Sequence, residues 1–401
     1  MSQTSFRDQL SFKNTVLGVQ FLFVAFGATV LVPLLVGIDP AVALFTAGIG
    51  TLLFHLITKG QVPVFLGSSF AFIAPIIEAT KLYGLPGTLS GIIAVGLVYG
   101  VVSALVKARG ITFVERLFPS VVVGPIILLI GLSLASVAVD MAKTDWVVAV
   151  VSLLTAVAVV VFGKKMLKLI PIFIAIIVGY ILSMIMGKVD LTPVKEAAWI
   201  SLPEFTAPQF SWQAILYMVP VAIAPIIEHV GDMYAIGGVC EKNFIEKPGL
   251  HRTLLGDGIA SGLAGFFGGV PNTTYSEVTG AITLTKITNP FVLRISAITA
   301  LVFAFVGKIS GFLKTIPQSV LGGIMLLLFG MIASIGIKTL VDSKTNMNET
   351  RNQVIVSIVL TVGIGGAVIS YGTFSLAGIG LAATVGIILN LILPRTKKEE
   401  E

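Results

Sequence analysis

Long apolar runs, broken at short intervals by charges, glycines and prolines, fill the chain from Asn14 almost to its end. Cutting at those breaks leaves fourteen runs, near 14–36, 41–58, 62–78, 86–106, 119–139, 146–163, 169–187, 211–236, 253–269, 271–285, 289–307, 316–337, 352–370 and 373–394. A helix needs roughly 20 apolar residues to cross a hydrocarbon core about 30 Å thick. The pattern therefore predicts an all-α polytopic membrane protein with fourteen transmembrane segments. The third and tenth runs are short and rich in small polar residues, which marks them as interrupted segments. The stretch up to Lys13 is polar, and no small-residue cleavage pattern follows a short apolar core. The first run thus reads as a retained span rather than a signal peptide.

Composition agrees. Charged residues make up 11% of the 401 and apolar ones 56%, with a mean hydropathy of +1.01. A soluble domain carries about 25% charged residues, so the soluble classes are excluded. The single cysteine, Cys240, permits no intramolecular disulfide and no thiolate cluster, and three scattered histidines build no metal centre. No metal or organic cofactor is expected. The expected partners are the lipid bilayer and a small solute, with no nucleic acid.

Charge asymmetry orients the chain. With the N-terminus inside, twenty of the 26 Lys and Arg residues collect on the inner side, among them Arg7, Arg116, Lys338, Arg395, Lys397 and Lys398. The outer side holds six: Lys81, Lys143, Lys188, Lys195, Lys308 and Lys314. Both termini are expected in the cytoplasm, in a plasma (inner) membrane.

Two echoes divide the chain into halves. Pro119, Val122, Gly124 and Ile126 recur 198 positions later as Pro317, Val320, Gly322 and Ile324. Gly67-Ser68-Ser69-Phe70 is matched 205 positions later by Asn272-Thr273-Thr274-Tyr275. Each echo links segments seven apart, an odd number, so the halves are expected in opposite orientations. Inverted seven-segment repeats with interrupted segments at matching places mark a secondary transporter with a mid-membrane site.

Acids inside the apolar runs locate candidate chemistry. Glu228 and Asp232 are the only acids between Ser211 and Cys240, and their i, i+4 spacing puts them on one helix face. A charge near the bilayer centre costs from about 2.5 kcal/mol upward, so such groups usually face a cavity. The competing reading is an interfacial helix end, with Gly231, Gly237 and Gly238 stopping the span early. His229 points to another face and reads as a packing or supporting residue. Glu277 follows Pro271-Asn272-Thr273-Thr274-Tyr275-Ser276, too polar and β-branched for an ordinary lipid-facing helix. Irregular backbone at that depth is tolerated only in a protein interior or cavity wall. The expected arrangement is a short extended stretch and then a half-helix from about Ser276, its free N–H groups aimed at the site. Ser68 and Ser69 match it from the opposite side, or serve simple small-residue packing. Asp257, in Gly256-Asp257-Gly258, reads as a helix-start or conformational residue rather than a substrate contact. Phe70 and Tyr275, either core aromatics or stacking walls, suit a flat ligand. With two or three carboxyls, opposed N–H groups and no deep Lys or Arg, a flat neutral molecule bearing both N–H and carbonyl groups fits better than an inorganic anion.

At these residues the chain resembles the nucleobase–ascorbate transporters, most closely the bacterial uracil–proton symporters, from about Leu17 to Leu393. The resemblance rests on Phe26-Gly27-Ala28-Thr29-Val30-Leu31-Val32-Pro33, Gly67-Ser68-Ser69-Phe70-Ala71-Phe72, Glu228-His229-Val230-Gly231, Pro248-Gly249-Leu250-His251-Arg252, and Glu277 with Gly280, Thr285 and Lys286. It implies a core domain (1–110 and 210–310, segments 1–4 and 8–11) and a gate domain (111–209 and 311–401, segments 5–7 and 12–14). It also implies short antiparallel strands in segments 3 and 10, homodimers, and proton-coupled uracil import by alternating access. Carried over, Glu228 and Glu277 would hydrogen-bond the base, Phe70, Ser69 and Ser276 would supply backbone contacts, and Tyr275 would line the pocket. Asp232, Glu228 and Glu277 would serve proton coupling. Asp232 departs from the histidine typical of uracil carriers, which keeps a purine such as xanthine as the second substrate reading. An anion carrier or channel on a related fold is the remote one. An intramembrane aspartyl protease lacks its Tyr-Asp partner, so no enzyme is expected.

Overall fold

The protein is described by a computed structural model covering residues 11–112, 118–371 and 374–394. Arg7, Arg116, Arg395, Lys397 and Lys398 of the charge partition lie outside the described residues. Helices α1 (Phe12–Val36) and α2 (Pro40–Ile57) occupy the first two predicted segments. Ser11 and Asp39 cap them, accepting from the Asn14 and Ala41 N–H groups. Strand β1 (Leu66–Ser68), a 3₁₀ turn at Phe70–Phe72 and helix α3 (Ile73–Arg109) follow. Helix α3 is broken at Gly84, whose φ of 71° is left-handed, two residues before Pro86. Its two parts are the end of segment three and the whole of segment four.

Helices α4 (Ser120–Ser133) and α5 (Ala135–Ala142), then α6 (Trp146–Phe162) and α7 (Pro171–Ile185), fill segments five to seven. A short helix, α8 (Thr192–Glu196), lies in the long loop. Segment eight is α9 (Trp212–Met218), a 3₁₀ turn around Pro220, and α10 (Ile223–Cys240). Next come α11 (Leu250–Phe267), β2 (Asn272–Thr274), α12 (Ser276–Thr285), α13 (Pro290–Ala304) and α14 (Gly307–Lys314). The chain closes with α15 (Gln318–Asp342), α16 (Thr350–Ile364), β3 (Val368–Tyr371), β4 (Phe374–Ala377) and α17 (Gly378–Ile392).

Among the described residues, six helical stretches are long and apolar enough to cross a membrane, and five shorter apolar helices accompany them. The chain is a multi-pass membrane protein. The last two predicted segments, 352–370 and 373–394, are corrected at their facing ends. There β3 and β4 form an antiparallel hairpin, from Val368↔Ala377 to Tyr371↔Phe374. Gly365 and Gly366 stop α16, and the residues beyond are β-branched and aromatic, which suits a pleated pair better than a helix.

The helices pack as two groups. In one, α3 lies along α11, and α2 contacts both α11 and α13. In the other, α15 lies against α4, α5 and α6. Glycines bring backbones into direct contact in both, as expected where no hydrophobic force separates helix from lipid. A Cβ on Gly96 of α3 would sit 2.6 Å from the Gly258 carbonyl oxygen and 2.7 Å from the Gly262 nitrogen of α11. A Cβ on Gly336 of α15 would lie 2.3 Å from the Leu128 nitrogen of α4. Gly100, one turn beyond Gly96, has open space instead. Gly96→Ala is therefore expected to force α3 from α11, costing about 1–3 kcal/mol. Thermal unfolding in detergent checks this: Gly96→Ala should lower the midpoint and Gly100→Ala should not.

Candidate functional site

Two polar interruptions meet inside the first group of helices. Strand β1 runs antiparallel to β2 with Leu66 opposite Thr274, Gly67 opposite Thr273 and Ser68 opposite Asn272. Two further bonds extend the pair, Ser69 N–H to Pro271 O at 2.9 Å and Tyr275 N–H to Phe65 O at 3.2 Å. The strands stay short because each opens directly into a helix. Ser69 precedes the turn into α3 and Tyr275 precedes α12, and neither side chain caps the helix it introduces. Both helix N-termini thus present uncapped N–H groups at the crossing. The half-helix begins at Ser276, where the sequence pattern puts it.

A two-stranded sheet in apolar surroundings has outer edges that need partners. On β1, Thr51 Oγ accepts from the Leu66 N–H at 2.9 Å and Ser68 Oγ donates to the Thr29 carbonyl at 3.2 Å. On β2, Asp257 Oδ2 accepts from the Thr274 N–H at 3.0 Å, and Ser261 Oγ donates to the Asn272 carbonyl at 2.8 Å. Asp257 also accepts from Thr274 Oγ at 3.0 Å and bonds His229 Nδ1 at 2.9 Å. Of the two readings of Asp257, helix-start or conformational, the structure corrects the first. Helix α11 begins at Leu250, so Asp257 lies two turns inside it, fully buried, holding a strand rather than a helix end. His229 is 1% exposed and takes the supporting position read for it.

Tyr275 sits beneath the crossing. Its ring packs against Gly67, where a Cβ would come within 2.4 Å of the ring, and its hydroxyl donates to the Ser68 carbonyl at 2.8 Å. It is 4% exposed, so in this conformation it braces β1 instead of offering a face to a ligand. Ser69 is buried, with its N–H engaged across the strands, while Phe70 stays half-buried at the head of the α3 turn.

The acids gather on the open side. Helix α10 continues to Cys240, so Gly231, Gly237 and Gly238 do not end it early, and Glu228 and Asp232 are interior to it. Asp232 is largely buried and accepts from Ser276 Oγ at 2.5 Å, tying α10 to the first residue of α12. Glu228 is exposed to a cavity of about 780 Å³. Glu228, Gly231, Asp232 and Ser276 line one wall; Pro119, Val123, Lys338 and Thr339 line the other. Glu277 is exposed in the first turn of α12, next in the chain to Ser276. Glu228, Asp232, Ser276 and Glu277 are therefore brought together, with Ser69 and Tyr275 behind them. Lys338, which the sequence counts as a loop charge, stands in the wall next to Asp342. Among the described residues no group of His, Cys, Asp and Glu has the arrangement of a metal site.

Carboxylates and an uncapped helix N-terminus place acceptors and donors side by side, at a cavity between two packed helix groups. This construction is that of a membrane transporter with a candidate site at a strand crossing. A family model described as "Permease family" matches residues 12–371, and the chain belongs to that family, the nucleobase–ascorbate transporters. It is 52% identical over 399 residues to a "Probable uracil permease" of Pasteurella multocida, covering 97% of this chain and 96% of the relative. It is 45% identical over 394 residues to the "Uracil permease" of Bacillus caldolyticus, covering 94% and 91%. These relatives are permeases, and the chain is a transporter rather than an enzyme. In fold it resembles the transmembrane domain of a cyanobacterial bicarbonate transporter, BicA, with a TM-score of 0.67 at 16% identity, covering 96% of this chain and 98% of that one.

Removing the Tyr275 hydroxyl leaves the Ser68 carbonyl without its buried donor, a loss of about 1–3 kcal/mol. Tyr275→Phe is expected to keep the ring packing and still lower the thermal midpoint in detergent. An unchanged midpoint would show that the hydroxyl does not brace the strand.

Proposed function

We propose that this chain is a proton-coupled symporter that imports uracil by alternating access. The observation that carries the reading is that Glu228 and Ser276 line one cavity, with Glu277 next to Ser276 in the exposed, uncapped first turn of α12. Uracil presents two ring N–H donors and two carbonyl acceptors in one plane. Carboxylates suit the donors, and backbone N–H groups suit the carbonyls. The permease relatives named for uracil support the same substrate. Phe70 is the aromatic left half-exposed for stacking, and Ser69 and Ser276 set the backbone around it.

Fourteen spans in two inverted repeats underlie the machine. The core domain holds segments 1–4 and 8–11 and the gate domain segments 5–7 and 12–14, within the bounds 1–110, 111–209, 210–310 and 311–401. The two packed helix groups support that division. Both termini lie in the cytoplasm of a cell with this chain in its inner membrane, and the working unit is a homodimer. In that orientation the cavity, with Lys338 and Asp342 at its wall, opens inward. Movement of the gate against the core closes it and exposes the acids outside. A proton shared among Glu228, Asp232 and Glu277 travels with the base, because neighbouring carboxyls in a low-dielectric site resist full ionisation. Asp232 favours a purine as the second reading. Competition of labelled uracil uptake by a panel of bases decides: uracil should displace the label best, and displacement by xanthine alone would overturn the pyrimidine assignment.

Losing one acceptor in a dry site costs about 1–3 kcal/mol, roughly 5- to 150-fold in affinity. Glu228→Ala and Glu277→Ala should therefore abolish measurable uracil binding in detergent without a severe loss of thermal stability. Wild-type binding by either variant would remove that residue from the site.

Asp232→Asn removes one titrating partner and keeps an oxygen for the Ser276 hydroxyl. The variant should bind and exchange substrate yet accumulate it poorly against a gradient. Its uptake should vary less steeply between about pH 5 and 8. Accumulation and a pH profile like wild type would place the proton on another group.

A further inference from the structure

The geometry points to His229 as the positioning residue that sets Glu228 against the N-terminus of α12. This rests on the reading of Glu228 as a substrate-binding acid and adds a residue that never touches substrate. His229 follows Glu228 on α10, but its side chain turns from the cavity into the interior, where it is 1% exposed. There its Nδ1 lies 2.9 Å from Asp257 Oδ2 and 3.2 Å from Thr274 Oγ. Asp257 in turn holds the Thr274 N–H and hydroxyl. Helix α10 is thus joined to β2 through a buried chain of side chains, His229 to Asp257 to Thr274. A second tie, Ser276 to Asp232, joins α10 to the first residue of α12 on the cavity side. Glu228 stands next to the first tie in the chain and one helical turn before the second, so together they fix both the rotation of α10 and its distance from α12.

The chemistry of the buried tie is specific. Asp257 already accepts two bonds from Thr274, so the group facing it from His229 must be a donor, which places the imidazole proton on Nδ1. The other ring nitrogen, Nε2, is buried and has no hydrogen-bond partner among the described residues. Only the Nδ1 side of the ring carries the tie. Asparagine holds its amide where Nδ1 stands, whereas glutamine carries its amide out to the place of Nε2. The two variants therefore separate the tie from mere polarity and volume.

The test compares His229→Asn and His229→Gln in the purified full-length protein, by equilibrium binding of labelled uracil and by thermal unfolding without ligand. His229→Asn should bind within about threefold of wild type, and His229→Gln at least tenfold more weakly. Ser296→Ala serves as a control for burial alone, since it deletes a buried hydroxyl of α13 bonded to the Gly18 carbonyl of α1 at 2.6 Å. It should lower the unfolding midpoint and leave affinity unchanged. Equal affinities for the Asn and Gln variants would overturn the positioning role, as would a loss in Ser296→Ala matching that in His229→Gln. If wild type binds another base in place of uracil, the substrate reading fails, and the same comparison with that base still decides the role of His229.

Discussion

Everything at the centre of this molecule depends on partners for backbone groups that lipid cannot satisfy. Strands β1 and β2 pair with each other along one edge only, and an unpartnered N–H or carbonyl in apolar surroundings costs several kcal/mol. The outer edges are met by side chains from two neighbouring helices, Thr51 from α2 and Asp257 and Ser261 from α11, while the Thr29 carbonyl of α1 takes the Ser68 hydroxyl. Polar residues sit in these helices because the crossing needs them. With the edges closed, the helix N-termini at either end remain free for a ligand.

That arrangement separates support from recognition. Residues on the buried side of the crossing, including Tyr275, His229 and Asp257, make bonds to protein and have almost no exposure. Residues on the open side, Glu228 and Glu277, keep acceptor capacity in reserve. The fold is shared with a bicarbonate transporter, and a shared fold does not by itself fix a solute. On the proposed reading the choice falls to the few side chains at the crossing, where carboxylates favour a donor-bearing molecule over an anion.

Much of the acid side was legible in the sequence because carboxylates in apolar runs stand out and helical spacing assigns them a common face. The break before Ser276 was equally plain, since Asn272-Thr273-Thr274 contradicts a lipid-facing helix. The bracing side was far less legible. Buried threonines in these helices commonly bond back to a carbonyl one turn earlier, as Thr29 does to Ala25 and Thr58 to Phe54. Nothing local distinguishes Thr51, which instead reaches a strand 15 residues away. Asp257 was misplaced for a related reason: its helix starts earlier than the apolar run, at Leu250, behind polar residues that read as loop. The β3–β4 hairpin was hidden because its residues are as apolar as a span.

The register of the crossing also constrains how the protein is made. Leu66 pairs with Thr274, about two hundred residues later in the chain. At synthesis rates of about 5–20 residues per second, the first strand waits roughly 10–40 s before its mate exists. During that interval Thr51, already synthesised, is able to occupy the Leu66 amide, while the groups destined for β2 have nowhere to go. Wherever insertion keeps pace with synthesis, the amino-terminal half enters the bilayer with its strand unpaired, and ribosome pausing between the halves lengthens that exposure.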